Sequence, residues 1–342
     1  MKTSRFLLAS TAIIAVLAFF SPRAQTRAQE NPPSAHSAGS PPRYINVVHE
    51  RLKPGRDAAY DGMLSNIRDD YERFNIPAYW IEMKSITGQN EGFSLNFGDS
   101  FGDLEKMGAG VAAAVTAHPE LAGLQDRLLA ENTSNVTNFI AERVDALGSH
   151  AATINFAKMR MLQVTVFHIR PGHEAEFAEA AKSIASAYEK VAGGPPWVIY
   201  AVHSGTPVPC YLMLTALSSL KDEDDAAARR GPAMEAGGAA VEQRLQEIAR
   251  SAYDSIETNI YVVNPLLSHM PRDFTARGSG VLGAKTRIAQ DSIGARHAVP
   301  SRAIDEISKM LTDVSILNTL RRHSAPNHCP DSIQERHAIF CD

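Results

Sequence analysis

The chain has 342 residues, 44% hydrophobic and 21% charged, with 34 basic against 38 acidic side chains and a formal charge of −4. That balance excludes a collagen, a coiled coil and a wholly disordered chain, and it argues against a strongly basic nucleic-acid binder. Three cysteines are too few for a disulfide scaffold.

The N-terminus reads as an export signal spanning residues 1–28. Lys2 and Arg5 precede an almost unbroken apolar stretch from Phe6 to Phe20. That stretch is shorter than the roughly 20 residues a membrane span needs, and it suits a signal-peptide core. Cleavage is expected after Ala28 or Ala24; after Ala28 it would leave 30 basic against 38 acidic residues, a charge of −8. The expected destination is the periplasm or the exterior, with no membrane association after cleavage. Residues 29–42, rich in Pro, Ser, Ala and Gly, read as a linker with nothing to bury.

An internal duplication organises the rest. RYINVVHERLKPGRDAAY and RMLQVTVFHIRPGHEAEF start 117 residues apart, and the same offset pairs Pro54 with Pro171, Gly55 with Gly172, Tyr71 with Tyr188 and Trp80 with Trp197. Continued without a gap, it also pairs Leu95 with Leu212, Arg127 with Arg244 and Ser134 with Ser251. Each copy opens on a strand rich in β-branched residues, Tyr44–Leu52 or Met161–Ile169. A Pro-Gly turn leads into an amphipathic helix, striped by Tyr60, Met63, Leu64, Ile67, Tyr71 and Phe74 in the first copy and by Phe177, Ile184, Tyr188 and Val191 in the second. Two strands follow, turned at Gly88 and Gly205. Helical regions at 103–132 and 219–249 come next, with breaks expected at Pro119 and Pro232. A last strand closes each copy. The class is α+β, and the order β-α-β-β-α-β is the split βαβ arrangement.

A strand ending in LKPG or IRPG, then an amphipathic helix and a Trp-led strand, resembles the dimeric α/β-barrel proteins, among them antibiotic-biosynthesis-monooxygenase-like and NIPSNAP-like domains. The resemblance covers roughly 43–148 and 158–265, within repeats placed at 43–148 and 158–270. It implies two tandem ferredoxin-like repeats that form an intramolecular barrel, as a monomeric pseudo-dimer or a homo-oligomer.

Side chains alternate along a strand. Ile45 and Val47, with Leu162, Val164 and Val166, form an aliphatic face expected to pack on the helices. Asn46, Val48 and Glu50, with Gln163, Thr165 and Phe167, form a more polar face expected to line the space between the sheets. The candidate ligand-binding residues are therefore Asn46, Glu50, Gln163 and Thr165, joined by Trp80 and Trp197. Each Trp reads either as an aromatic pocket wall or as a buried anchor of the sheet. The repeat histidines His49, His118, His168, His173 and His203 show no paired ligand spacing, and no metal or cofactor is expected. Cys210 reads as a small buried apolar side chain.

The segment 271–342 matches neither repeat. It suggests one amphipathic helix at 303–321 and a Cys329–Cys341 disulfide; the rest reads as a largely disordered extension. No nucleophile elbow, dinucleotide-binding or phosphate-binding loop occurs. The expectation is a small-molecule-binding protein. The alternatives are a cofactor-independent monooxygenase-like enzyme and a haem-linked oxidoreductase, both by analogy of fold.

Overall fold

The structure, a computed structural model, describes residues 41–271. The export segment, most of the linker, the helix at 303–321 and the Cys329–Cys341 pairing lie outside the described residues.

Repeat 1 comprises β1 (Tyr44–Leu52), α1 (Asp57–Arg73), β2 (Ile81–Ser85), β3 (Glu91–Gly98), α2 (Phe101–Ala117), α3 (Glu120–Asn132) and β4 (Thr133–Arg143). Repeat 2 comprises β5 (Met161–Ile169), α4 (Glu174–Glu189), β6 (Val198–Ser204), β7 (Cys210–Leu217), α5 (Lys221–Gly237), α6 (Ala239–Ser251) and β8 (Tyr253–Val263). Both Pro-Gly turns place the glycine at positive φ, +74° at Gly55 and +89° at Gly172, which a side chain would strain. The long helical region of repeat 1 breaks at Pro119, between α2 and α3. In repeat 2 the expected break at Pro232 does not occur: Pro232 lies inside α5. The chain breaks six residues later, where Gly238 adopts φ +89° and its N–H caps the carbonyls of Met234 and Glu235.

The gapless register also needs correction. Elements keep the 117-residue offset up to β2 and β6, but β3 and β7 start at 91 and 210, and β4 and β8 at 133 and 253. Strand β6 extends through Ser204 before its turn, so Leu95, opposite Ile81, corresponds to Leu214, opposite Val198. Leu212, Arg244 and Ser251 are therefore not the partners of Leu95, Arg127 and Ser134.

Eight antiparallel strands close into one barrel in the order β1-β3-β2-β8-β5-β7-β6-β4. The repeats join twice, at β2–β8 (Met83 opposite Val263) and at β4–β6 (Arg143 opposite Tyr200). Among the described residues, the closed barrel leaves no sheet edge for another chain to pair with.

The two strand faces are inverted relative to expectation. Ile45, Val47, Leu162 and Val164 point into the barrel, where they join Met83, Phe93, Leu95, Tyr200, Leu212, Leu214 and Val263 in one core fed by all eight strands, with Val166 packed against it. Ile154, Phe156 and Met159, from the connection between the repeats, belong to the same core. The polar face meets the helices instead. Closure explains the swap: a barrel this narrow is filled by side chains, so its lining must be apolar. The helices, by contrast, can carry polar partners to the outer face. Two further clusters lie between helices and sheet, around Tyr60, Leu64 and Trp80 in repeat 1 and around Phe177, Tyr188 and Trp197 in repeat 2.

Candidate functional site

Strands β1, β2 and β3 of repeat 1 present Glu50, Glu82 and Ser94 on the face beneath α1. The two glutamates are 4% and 0% exposed. Tyr60, in the first turns of α1, is fully buried above them. Its hydroxyl donates to Glu50 Oε2 and lies 3.3 Å from Glu82 Oε1, while Ser94 Oγ donates to Glu82 Oε2. Lys84 Nζ stands 3.9 Å from the centre of the Tyr60 ring and 2.8 Å from Asp61 Oδ1, on the more exposed side of the cluster. Gly92 makes room for the arrangement: a Cβ there would come within 2.9 Å of the Tyr60 oxygen and 3.0 Å of Glu82 Oε1.

Burial raises the Glu50 carboxyl above the usual carboxylate range, against the opposing effects of Tyr60, Lys84 and His49. Burial, reinforced by the neighbouring charge of Glu50, pushes Glu82 up to about 8. Burial and both carboxylates push the Tyr60 phenol well above its ordinary value. The two glutamates titrate as a pair, and burial favours a proton held on the pair. A carboxyl raised in the folded state stabilises the fold fully below its unfolded pKa of about 4.5 and progressively less as pH rises through about 8. Chemically, the site offers a hydrogen-bond donor and an acceptor within reach of one bridging hydroxyl.

Repeat 2 fills the equivalent place without a carboxyl group. Glu50 corresponds to Phe167, Tyr60 to Phe177 and Glu82 to Ile199; across the shifted register Gly92 corresponds to Tyr211 and Ser94 to Met213. All five pack in one apolar cluster, with the Phe177 ring stacked on Tyr211 at 4.3 Å and tilted against Phe167 at 5.3 Å. The fold therefore does not require the acid pair.

Of the residues singled out in the sequence, Glu50 alone lies in this cluster. Asn46 pairs across to Asn96, 3.3 Å away on β3. Gln163 donates to Glu223 of α5, and Thr165 bonds Thr258 on β8 at 2.9 Å. Trp80 and Trp197 are 7% and 5% exposed, with indole N–H groups donating to Leu267 O at 2.8 Å and Leu147 O at 3.2 Å. Sequence reading missed Glu82, Ser94, Lys84 and Gly92, and it placed Tyr60 merely on an apolar stripe. The signal was available: at matched positions of the duplication, Glu50, Tyr60 and Glu82 face Phe167, Phe177 and Ile199.

On the barrel side of the same strands, His49 Nε2 lies 2.8 Å and Arg51 Nε 3.7 Å from the buried Glu91, which also accepts from the Tyr261 hydroxyl at 3.3 Å. Burial pushes Glu91 up, but His49, Tyr261 and Arg51 outweigh it and hold the carboxyl below its ordinary value. Cys210 is buried in the barrel, and burial raises its thiol to about 11. Among the described residues, no group of three or more His, Cys, Asp or Glu side chains is placed to hold a metal ion, and no helix is long and apolar enough to cross a membrane.

Two β-α-β-β-α-β units closed into one eight-stranded barrel, with helices on the outer faces, define a dimeric α/β barrel of ferredoxin-like repeats, here within one chain. No family model and no curated protein matches the sequence. Among solved structures, a monooxygenase-type protein from Fusobacterium nucleatum aligns at 8% identity and TM-score 0.42, over 64% of this chain and 91% of its own. An anthrone oxidase-like protein aligns at 17% identity and TM-score 0.40, over 65% and 92%. A mutant chlorite dismutase from Candidatus Nitrospira defluvii aligns at 7% identity and TM-score 0.42, over 67% and 94%.

Proposed function

We propose that this is an exported protein that binds a small hydroxylated molecule, such as a phenol or quinol, at the Glu50–Tyr60–Glu82 cluster of repeat 1. One observation carries the reading: a costly buried acid pair occupies a place that the other repeat fills with Phe167, Phe177, Ile199 and Tyr211. Replacing buried ionisable groups by well-packed apolar ones is often neutral or stabilising by about 1–4 kcal/mol. An acid pair kept where an apolar solution exists in the same molecule is better accounted for by function than by stability. A site with both a proton donor and an acceptor complements a hydroxyl group, which is both at once.

The test uses mature protein recovered from the periplasm, whose intact mass reports cleavage near residue 28. Thermal shifts are recorded against a panel of phenols and quinols, with oxygen uptake followed in parallel. A ligand that raises the melting temperature of the wild type, with a smaller effect on Glu82→Gln, supports the reading. Oxygen consumption with the same compound would extend it to monooxygenase-like chemistry. Equal shifts in both proteins, or none across the panel, would refute it, and a mature protein still starting at Met1 would refute the export.

A further inference from the structure

We propose that the proton shared by Glu50, Tyr60 and Glu82 is a latch that holds the N-terminal turns of α1 on the sheet, and that its loss loosens α1 and opens the helix–sheet seam. This inference rests on the site proposed above and concerns its regulation.

The geometry makes Tyr60 a buried polar link between α1 and two strands at once, β1 through Glu50 and β2 through Glu82, beside the more exposed contacts of Asp61 with Lys84 and of Asp57 with Asn90. Removing the shared proton leaves two buried carboxylates facing one phenol. Like charges at such a distance disfavour each other, and burial disfavours both. Lys84 favours both charged carboxylates and His49 favours that of Glu50, but burial outweighs them, and both are already engaged elsewhere. Lys84 on β2 is engaged with Asp61 of α1 at 2.8 Å. Ser94 on β3 already donates to Glu82. His49 lies on the opposite face of β1 and pairs with Glu91. On the α3 side, Arg56 faces Glu131 at 3.7 Å. Hydration of the carboxylates is the remaining route to lower energy, and it requires α1 to lift.

The start of α1 is suited to lifting. Its N-cap residue, Arg56, makes no side-chain cap, so the first turn lacks the hydrogen bond that a Ser or Asp cap supplies. The counterpart in repeat 2 is built differently. There Phe177 of α4 is held between Phe167 and Tyr211, contacts that contain no carboxyl group. The latch therefore belongs to one half of the molecule, and α4 is its internal control.

Hydrogen exchange of the ligand-free full chain tests this, read as protection factors so that the intrinsic pH dependence of exchange cancels. Between pH 6 and about pH 9, protection at 57–67 is expected to fall about tenfold or more, while that at 174–184 changes less than about twofold. In Glu82→Gln, protection at 57–67 is expected to stay flat over the same range. Glu50→Gln, at the other end of the bridge, is expected to behave the same way. Equal loss in both helices, no loss in either, or a fall that persists in both Gln variants would overturn the proposal. Since no ligand is present, a failed latch leaves the binding reading standing, and a failed ligand panel leaves the latch standing.

Discussion

Trp80→Ala and Trp197→Ala are each expected to destabilise the protein by about 3–5 kcal/mol, the range for truncating a buried aromatic side chain and leaving a cavity. The structure makes the two residues pseudo-symmetric anchors. Trp80 pairs through its backbone with His269, both ways, and its indole donates to Leu267. Trp197 does the same with Ser149 and Leu147. Each Trp is thus held by the segment that follows the last strand of the other repeat. Each also meets a tyrosine of its own helix edge-on, Tyr71 at 5.3 Å and Tyr188 at 5.5 Å. Truncation removes the buried ring, an edge-to-face contact and a hydrogen bond that straps one repeat to the other. Urea denaturation of the two single mutants measures the effect as a fall in midpoint at unchanged slope. Losses under about 1 kcal/mol in both, an ordinary surface effect, would show that these rings do not anchor the barrel.

Repeat 1 alone, residues 43–148, is expected not to yield a stable monomer. Its removal from the chain exposes β2 and β4 as open edges, since their partners β8 and β6 belong to repeat 2. It also uncovers Ile45, Val47, Met83, Phe93 and Leu95, whose burial depends on strands of both repeats. Burying each such side chain is worth about 1.5–3 kcal/mol, so the loss is comparable to the whole 5–15 kcal/mol that typically holds a domain together. Trp80 loses its strap at 267–269 as well. In the whole chain the tether keeps the second half at high effective concentration; in the fragment only self-association can replace it. Size-exclusion chromatography with thermal unfolding decides the matter. A monomer of 43–148 with a sharp transition would show that each repeat folds by itself.

Much of this molecule was legible before its structure. The duplication, the limits of β1 and β5, and the Pro-Gly turns rest on local signals: β-branched runs, helical spacing and glycines at positive φ. Those signals persist because they are set by the backbone and its nearest neighbours. The break at Gly238 rather than Pro232 was less legible, because a helix tolerates one lost N–H bond when the following turns remain paired. The register shift after β6 was hidden by chance identities, Leu212 and Arg244 among them.

What the sequence by itself determined is the alternation of Ile45 and Val47 against Asn46 and Glu50, and the presence of two copies. Which face turns inward was decided by tertiary structure, because alternation states only that the faces differ. Closure of eight strands into one barrel demanded an apolar lining, and so Asn46, Glu50, Gln163 and Thr165 were turned toward the helices. The acid cluster follows from the same event. Glu50, Tyr60, Glu82 and Ser94 are spread over 45 positions of the chain, and no spacing rule connects them. They meet because β1, β2 and β3 lie side by side under α1, and they change one another's protonation because they are buried together.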